Sequence, residues 1–213
     1  MLAEGRGWIV VDKPAGLAVH AGPRTEDCVE ARFQAAGLDV WPVHRLDRDT
    51  SGCLLLATRR RAARRLARAF AERSVEKLYL AIVAGAPPEG EGRVEAPLAR
   101  RSDPVRGWRI APDPRGLPAA TRWRVLKRRG ALALVAFRPE TGRTHQVRVH
   151  ATLLAPGAAI LGDATYGRPD PVGLALHAAG LAFPDDGGRG VQVMAPLPQR
   201  FSGWLQGETF EFW

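Results

Sequence analysis

The stretch that decides the reading of this chain is Val43-His44-Arg45-Leu46-Asp47-Arg48-Asp49-Thr50-Ser51-Gly52. Asp47 stands between Arg45 and Arg48, and a Thr-Ser-Gly turn follows. Nearby positive charge favours the ionised form of a carboxylate. The apolar run Cys53-Leu54-Leu55-Leu56-Ala57 comes next and reads as a buried strand. An ionised carboxylate ahead of such a strand is a candidate nucleophile or general base. The same residues also make an ordinary Asx or Ser/Thr turn with a solvated ion pair. Spacing alone does not choose between the two.

Upstream, Trp8-Ile9-Val10-Val11 is a short strand, broken by the turn Asp12-Lys13-Pro14-Ala15-Gly16 before Leu17-Ala18-Val19-His20 resumes extended structure. Residues 26–36 suggest a short helix, with Val29 and Phe33 four apart and Gly37 at its end. Downstream, Thr58 is a good N-cap for a helix over 59–70. Ala62, Leu66, Ala69 and Phe70 share one face of it, and Arg60, Arg61, Arg64, Arg65 and Arg68 spread over the rest. That arginine surface is either simply solvated or contacts phosphates, which a guanidinium grips through two hydrogen bonds. Lys77-Leu78-Tyr79-Leu80-Ala81-Ile82-Val83 alternates as a strand, placing Lys77, Tyr79 and Ala81 on one face.

Residues 84–119 change character. Pro87-Pro88, Gly90, Gly92, Pro104, Pro112, Pro114, Gly116 and Pro118 punctuate a segment that carries Arg100, Arg101, Arg106 and Arg109. It reads as a loop-rich insertion of surface strands and loops beside a substrate cleft. Residues 120–127 and 131–138 are two strands around Arg128-Arg129-Gly130. In Arg143-Thr144-His145-Gln146-Val147-Arg148-Val149-His150-Ala151-Thr152-Leu153-Leu154, the spacing of Val147, Ala151 and Leu154 favours a helix. Thr144 would cap it, Pro156-Gly157 would stop it, and His145, Arg148 and Thr152 would share its polar face.

A chain of 213 residues fits one large domain or two small ones. No break in composition is strong enough to mark a second domain. Its 31 basic residues outnumber 22 acidic ones, and the net charge of +9 favours a polyanionic partner, most simply nucleic acid. The two cysteines, Cys28 and Cys53, form no Cys-x-x-Cys pair, which argues against a disulfide scaffold or a zinc cluster. His145 and His150 are five apart, a poor chelating interval on a helix. There is no phosphate-binding or dinucleotide-binding glycine motif. No metal and no cofactor are therefore expected. Nothing resembles a signal peptide or a membrane span, so a cytoplasmic protein is expected.

The motifs together resemble the RluA-like pseudouridine synthases, which isomerise uridine to pseudouridine in ribosomal and transfer RNA. The resemblance rests on His44-Arg45-Leu46-Asp47 with Thr50-Ser51-Gly52, on Lys77-x-Tyr79-x-Ala81, on Arg143 to His150, on Ile160 to Gly167 and on Leu176-His177-Ala178. It runs in the family's order from about Trp8 to Pro198. Asp12 stands where the family's opening motif has Asn, and Phe183 where a later one has His before Pro. The resemblance implies an α+β (mixed α/β) pseudouridine synthase fold, mainly an antiparallel mixed sheet with flanking helices and a central cleft. It implies a single catalytic domain over 1–213, with no S4-type RNA-binding domain.

Asp47 is then the catalytic carboxylate, Arg148 its ionic partner, and Tyr79 the ring against the target uracil. The expected RNA contacts are His44, Arg45, Arg61, Arg64, Arg65 and Arg143, with Arg45 entering the space the extruded base vacates. Extrusion costs a few kcal/mol, so that space must be filled. Expected partners are structured ribosomal or transfer RNA, with no membrane, no obligate protein partner and a monomeric state. Two other classes compete. A glycosidase also breaks a glycosidic bond but needs two positioned carboxylates, and the motif around Asp47 resembles that of a different family. A non-catalytic RNA-binding module accounts for the charge and the arginine helix, but not for Asp47, Tyr79 and Arg148 sitting in their matching motifs.

Overall fold

The continuous apolar run ahead of the arginine helix builds the most buried strand of the first half. The computed structural model describes residues 1–22, 25–85, 87, 89–103 and 107–205; Pro88, Pro104 and Arg106 lie outside these. The elements begin with β1 (Ala3–Gly5), β2 (Trp8–Lys13), α1 (Val29–Ala35), β3 (Trp41–Pro42), β4 (Ser51–Ala57) and α2 (Arg60–Ala71). They continue with β5 (Glu76–Ala84), β6 (Glu91–Glu95), β7 (Leu98–Asp103), β8 (Gly107–Pro112), β9 (Ala120–Arg129) and β10 (Leu132–Pro139). Last come α3 (Gln146–Ala151), β11 (Ala159–Ile160), β12 (Leu176–Pro184), β13 (Gly190–Met194) and α4 (Gln199–Ser202). The chain divides into two compact units: Met1–Lys77 with His177–Leu197, and Leu78–Leu176 with the residues from Pro198 on. The architecture is α+β, mostly antiparallel and with few helices.

In the first unit β4 is covered on both faces, which is why it reads as an unbroken apolar run rather than an alternation. β2 pairs antiparallel with it (Val10 opposite Leu55), and β12 pairs parallel (His177 opposite Ser51). β1 extends β2, β13 extends β12, and β3 pairs with the far end of β4. Ala62, Leu66 and Ala69 of α2 join Trp8, Val10, Leu55 and Phe183 in one core. Phe183, one of the two departures from the resembled pattern, meets Trp8 edge-on at 5.0 Å, a favoured aromatic geometry.

Both helices of this unit differ from expectation at their starts. Thr58 does not cap α2. Its amide donates to the Gly7 carbonyl (2.9 Å), prolonging the strand ladder, so the helix starts at Arg60 after an extended, uncapped Arg59. α1 starts at Val29, where the Cys28 sulfur accepts the Ala31 amide.

In the second unit β10 is central, flanked by β5 (Phe137 opposite Tyr79) and β9 (Phe137 opposite Trp123). β6 pairs with β9, β11 with β5, and β7 with β8 as a separate hairpin. The glycine- and proline-rich segment thus holds surface strands joined by loops, as expected, with β6, β7 and β8 as its strands. Its strand β6 is mostly exposed and is tied to β9 by charge. Arg93 and Arg122 both bond Glu140, and Arg124 bonds Glu91. Those two guanidiniums pull the Glu140 carboxyl down to about 2.

Of the expected polar face, Arg148 is buried like every other residue of α3, while His145 and Thr152 flank the helix and are half-buried. Gln146 Oε1 accepts from Thr141 Oγ1 and the Arg143 amide, while Nε2 donates to the Ala120 carbonyl and Thr121 Oγ1. The residue before the helix is His145 in the left-handed region (φ 54°), not Thr144 as a side-chain cap.

Gly52 has φ +108°, and a Cβ there would lie 2.2 Å from the Ala178 carbonyl oxygen. Gly52→Ala is therefore expected to destabilise the fold by at least about 2 kcal/mol, read as a lowered urea midpoint at unchanged m-value.

Candidate active site

The loop that carries Asp47 is fastened from behind by a lysine without water. Lys13 is 1% exposed, and its Nζ donates to the carbonyls of Leu17 (2.7 Å), Pro14 (2.9 Å) and Arg48 (3.0 Å). Burial pushes this ammonium down to about 8, opposed by the carboxylates of Asp49, Asp47 and Asp12. Gly16 and Arg48 add a reciprocal pair, Gly16 N–H to the Arg48 carbonyl and Arg48 Nε to the Gly16 carbonyl, each 2.9 Å. The Pro/Gly turn and the Asp47 loop are thereby one clamped piece. A turn closes ahead of β4, where the Thr50 amide donates to the Asp47 carbonyl. Ser51 Oγ then meets His177 Nδ1 at 2.9 Å.

His44 points inward. Its Nε2 accepts the Leu55 amide at 2.9 Å, and its ring stacks on Phe70 at 4.7 Å. That bond serves a β4 amide between the stretch paired with β12 and the stretch paired with β3. Burial, helped by the Lys77 charge, pushes this imidazole down to about 3. A neutral ring that accepts a backbone amide fixes the loop rather than attracting phosphate. Asp47 is half-buried and Leu46 buried, while Arg45 is exposed and makes no hydrogen bond or ion pair among the described residues.

Within the second unit, Tyr79 is half-buried on β5. Arg148 projects from α3 into a cradle. Its Nε and Nη2 each bond an oxygen of Asp163 at 2.8 Å, and Nη2 also reaches Thr165 Oγ1 at 3.0 Å. Its guanidinium lies over the Tyr166 ring, 5.1 Å from the centroid. Asp163 is itself 1% exposed and accepts the amides of Thr165 and Tyr166. Burial alone would raise this carboxyl, but the bonds and charge of Arg148 and the two amides hold it below the usual range. The cradle therefore fixes the direction of the guanidinium of a residue that is 7% exposed.

The expected RNA contacts divide. Arg61 and Arg64 are exposed on α2. Arg65 is half-buried, and its Nη1 bonds the Pro184 carbonyl at 3.0 Å, tying the helix to the end of β12. Arg143 is half-buried, with Nε bonded to the Pro118 carbonyl.

Lys13, Asp163 and Gln146 are the residues that motif reading passed over. Lys13 and Asp163 stood inside quoted motifs without a role, because lysine and aspartate are by default solvated. The signal for Asp163 was local: an aspartate two and three residues ahead of amides it can accept.

Residues 7–153 match the family model described as RNA pseudouridylate synthase. A protein of Zymomonas mobilis called an uncharacterized RNA pseudouridine synthase is 43% identical over 91% of this chain and 91% of its own length. Ribosomal large subunit pseudouridine synthase D of Nitrosomonas europaea is 42% identical over 97% of this chain, which spans 64% of that protein. Two solved human structures are similar. RNA Pseudouridylate Synthase Domain Containing 1 has a TM-score of 0.79 at 29% identity, over 92% of this chain and 82% of that one. Domain Containing 4 has a TM-score of 0.77 at 25% identity, over 96% and 91%.

Asp163→Ala removes the two charge-assisted bonds that hold a buried guanidinium, so it is expected to destabilise the protein by about 3–5 kcal/mol in denaturant titration. A second expectation concerns pH. His44 sits at about 3 and His177 at about 4, the latter through burial, against about 6.5 in an unfolded chain. Below that value the unfolded state binds more protons, so stability is full above it and is lost as pH falls toward 4. The urea midpoint should drop over this window, and His44→Gln should flatten the drop.

Proposed function

We propose, for a chain that belongs to the RNA pseudouridylate synthase family, that it isomerises uridine in structured RNA with Asp47 as the reacting carboxylate. The chain is an RNA-modifying isomerase by family. The roles of individual residues, and the choice of ribosomal or transfer RNA, are our reading. Relatives named for the ribosomal large subunit favour ribosomal RNA. Since the family match runs across the boundary of the two units, both are taken as parts of one catalytic domain. Among the described residues no helix is long and apolar enough to cross a membrane. We take the protein to act in the cytoplasm as a monomer with no obligate protein partner.

The observation that carries the reading is the clamp on the Asp47 loop. A buried ammonium and a neutral imidazole fix the backbone on either side of a carboxylate that itself stays accessible. Such preorganisation is what a reacting group needs. In the reaction the N1–C1′ bond of the uridine breaks, the uracil turns, and C5 takes the place of N1. The C5 proton leaves to solvent and N1 gains one, so atoms balance without a redox partner. Asp47 acts as nucleophile or base, and Arg148 answers charge on the departing uracil. Tyr79 stacks on the base, and the exposed guanidinium of Arg45 fills the space it leaves.

Asp47→Ala should abolish tritium release from RNA carrying C5-tritiated uridine while leaving RNA affinity unchanged; near-normal release would refute the assignment. Arg61 and Arg64, exposed on α2, motivate a further expectation. Reversing both charges should weaken RNA binding and shrink the slope of log K against log salt by about 0.7–0.9 for each phosphate no longer neutralised.

A further inference from the structure

The hairpin β7–β8 carries an indole whose exposure the catalytic reading leaves unexplained. Trp8, Trp123 and Trp204 are buried, but Trp108 keeps 48% of its surface in solvent. It is nevertheless held in place. Its ring stacks on His145 with centroids 5.6 Å apart and planes at 22°, and the exposed Arg100 sets its guanidinium 4.8 Å from the Trp108 centroid. His145 is fixed in turn, with its backbone left-handed and its Nδ1 2.8 Å from the Tyr166 hydroxyl. That hydroxyl accepts the Ile110 amide of β8 at 3.0 Å, which leaves its own proton for His145. Tyr166 underlies the Arg148 guanidinium. A contiguous row of rings and cations therefore leads from the buried Arg148 through Tyr166 and His145 to Trp108 and Arg100 in solvent.

We propose that the outer end of this row is a stacking seat for an unpaired RNA base, a neighbour of the target uridine and not the target itself. The inference rests on the RNA-isomerase reading above. Three features favour RNA as the occupant. Single-stranded bases stack on aromatic rings and guanidinium planes. The indole is braced by His145 and Arg100 before any base arrives, so less order is lost when one settles on it. The arginine at its margin and the chain's net charge of +9 suit the phosphates that accompany any base. Stacking is tolerant of base identity, so the seat holds the strand in place without reading its sequence.

The probe is a hairpin RNA with a uridine-rich loop carrying 2-aminopurine, compared with a fully paired duplex of equal length. Wild-type protein should quench the 2-aminopurine on binding. Trp108→Ala should bind the hairpin about tenfold more weakly and lose the quench, with duplex affinity and salt slope unchanged. Trp108→Tyr should restore most of the affinity. Arg100→Gln should weaken hairpin binding and also reduce the salt slope. Equal hairpin affinity and quenching in wild type and Trp108→Ala overturn the seat, and so does an equal loss on hairpin and duplex. Tritium release by the wild type separates the two readings. With release present and hairpin binding indifferent to Trp108, the seat alone fails; with no release, the isomerase reading fails on its own.

Discussion

An ammonium sealed from water must be answered by oxygen, and Lys13 is answered by three carbonyls drawn from two separate stretches of chain. This constraint organises the first unit. Desolvating a charge is expensive, and its cost is offset only when several acceptors converge with good geometry. The carbonyls of Pro14, Leu17 and Arg48 can converge only if the turn after β2 and the Asp47 loop adopt one mutual arrangement. The direction of Asp47 is thereby a consequence of where β2 ends. Gly52 supports the same arrangement from the other side, since β12 passes too close for any side chain there.

The second unit solves a similar problem with a different answer. Here the cation is Arg148, and the carboxylate of Asp163 grips it where carbonyls grip Lys13. Asp163 can serve because two backbone amides already hold it. A planar guanidinium bonded through two nitrogens cannot swing as an ammonium can. The short helix α3 contributes by burying every residue, with Gln146 satisfying four polar groups around its first turn. His150 completes this lining. Its Nε2 donates to the Ala96 carbonyl, and its Nδ1 therefore accepts from Thr121. Polar residues on a helix face are here internal fasteners, which is why the pattern of α3 reads as amphipathic although no face meets solvent.

How much of this was legible depended on how local its cause is. β4 and α2 were readable because a continuous apolar run and a helical stripe each declare themselves within a dozen residues. For the surface strands between 91 and 112, the bounds and partners were not. β6 is held by ion pairs on an exposed surface, and Gly92 within it and Gly90 before it imitate loop composition. Thr58 and Thr144 have the chemistry of caps, but one amide is taken up by Gly7 and the other helix starts from a left-handed His145; both outcomes are tertiary. The same holds at the site. The motif named Asp47, Tyr79 and Arg148, but sequence could not reveal that Lys13 reaches a carbonyl 35 residues away or that His44 turns inward. Arg65 looked identical to its neighbours until Pro184 appeared beside it.

The most direct test of the account is a map of modified uridines in ribosomal and transfer RNA, prepared from cells lacking the gene and then incubated with the purified protein alone. The account expects pseudouridine to appear at discrete positions without any added cofactor, and none to appear when Asp47 is replaced by Ala. An RNA map left unchanged by the wild-type protein, or the same new positions produced by the Asp47 variant, would contradict it.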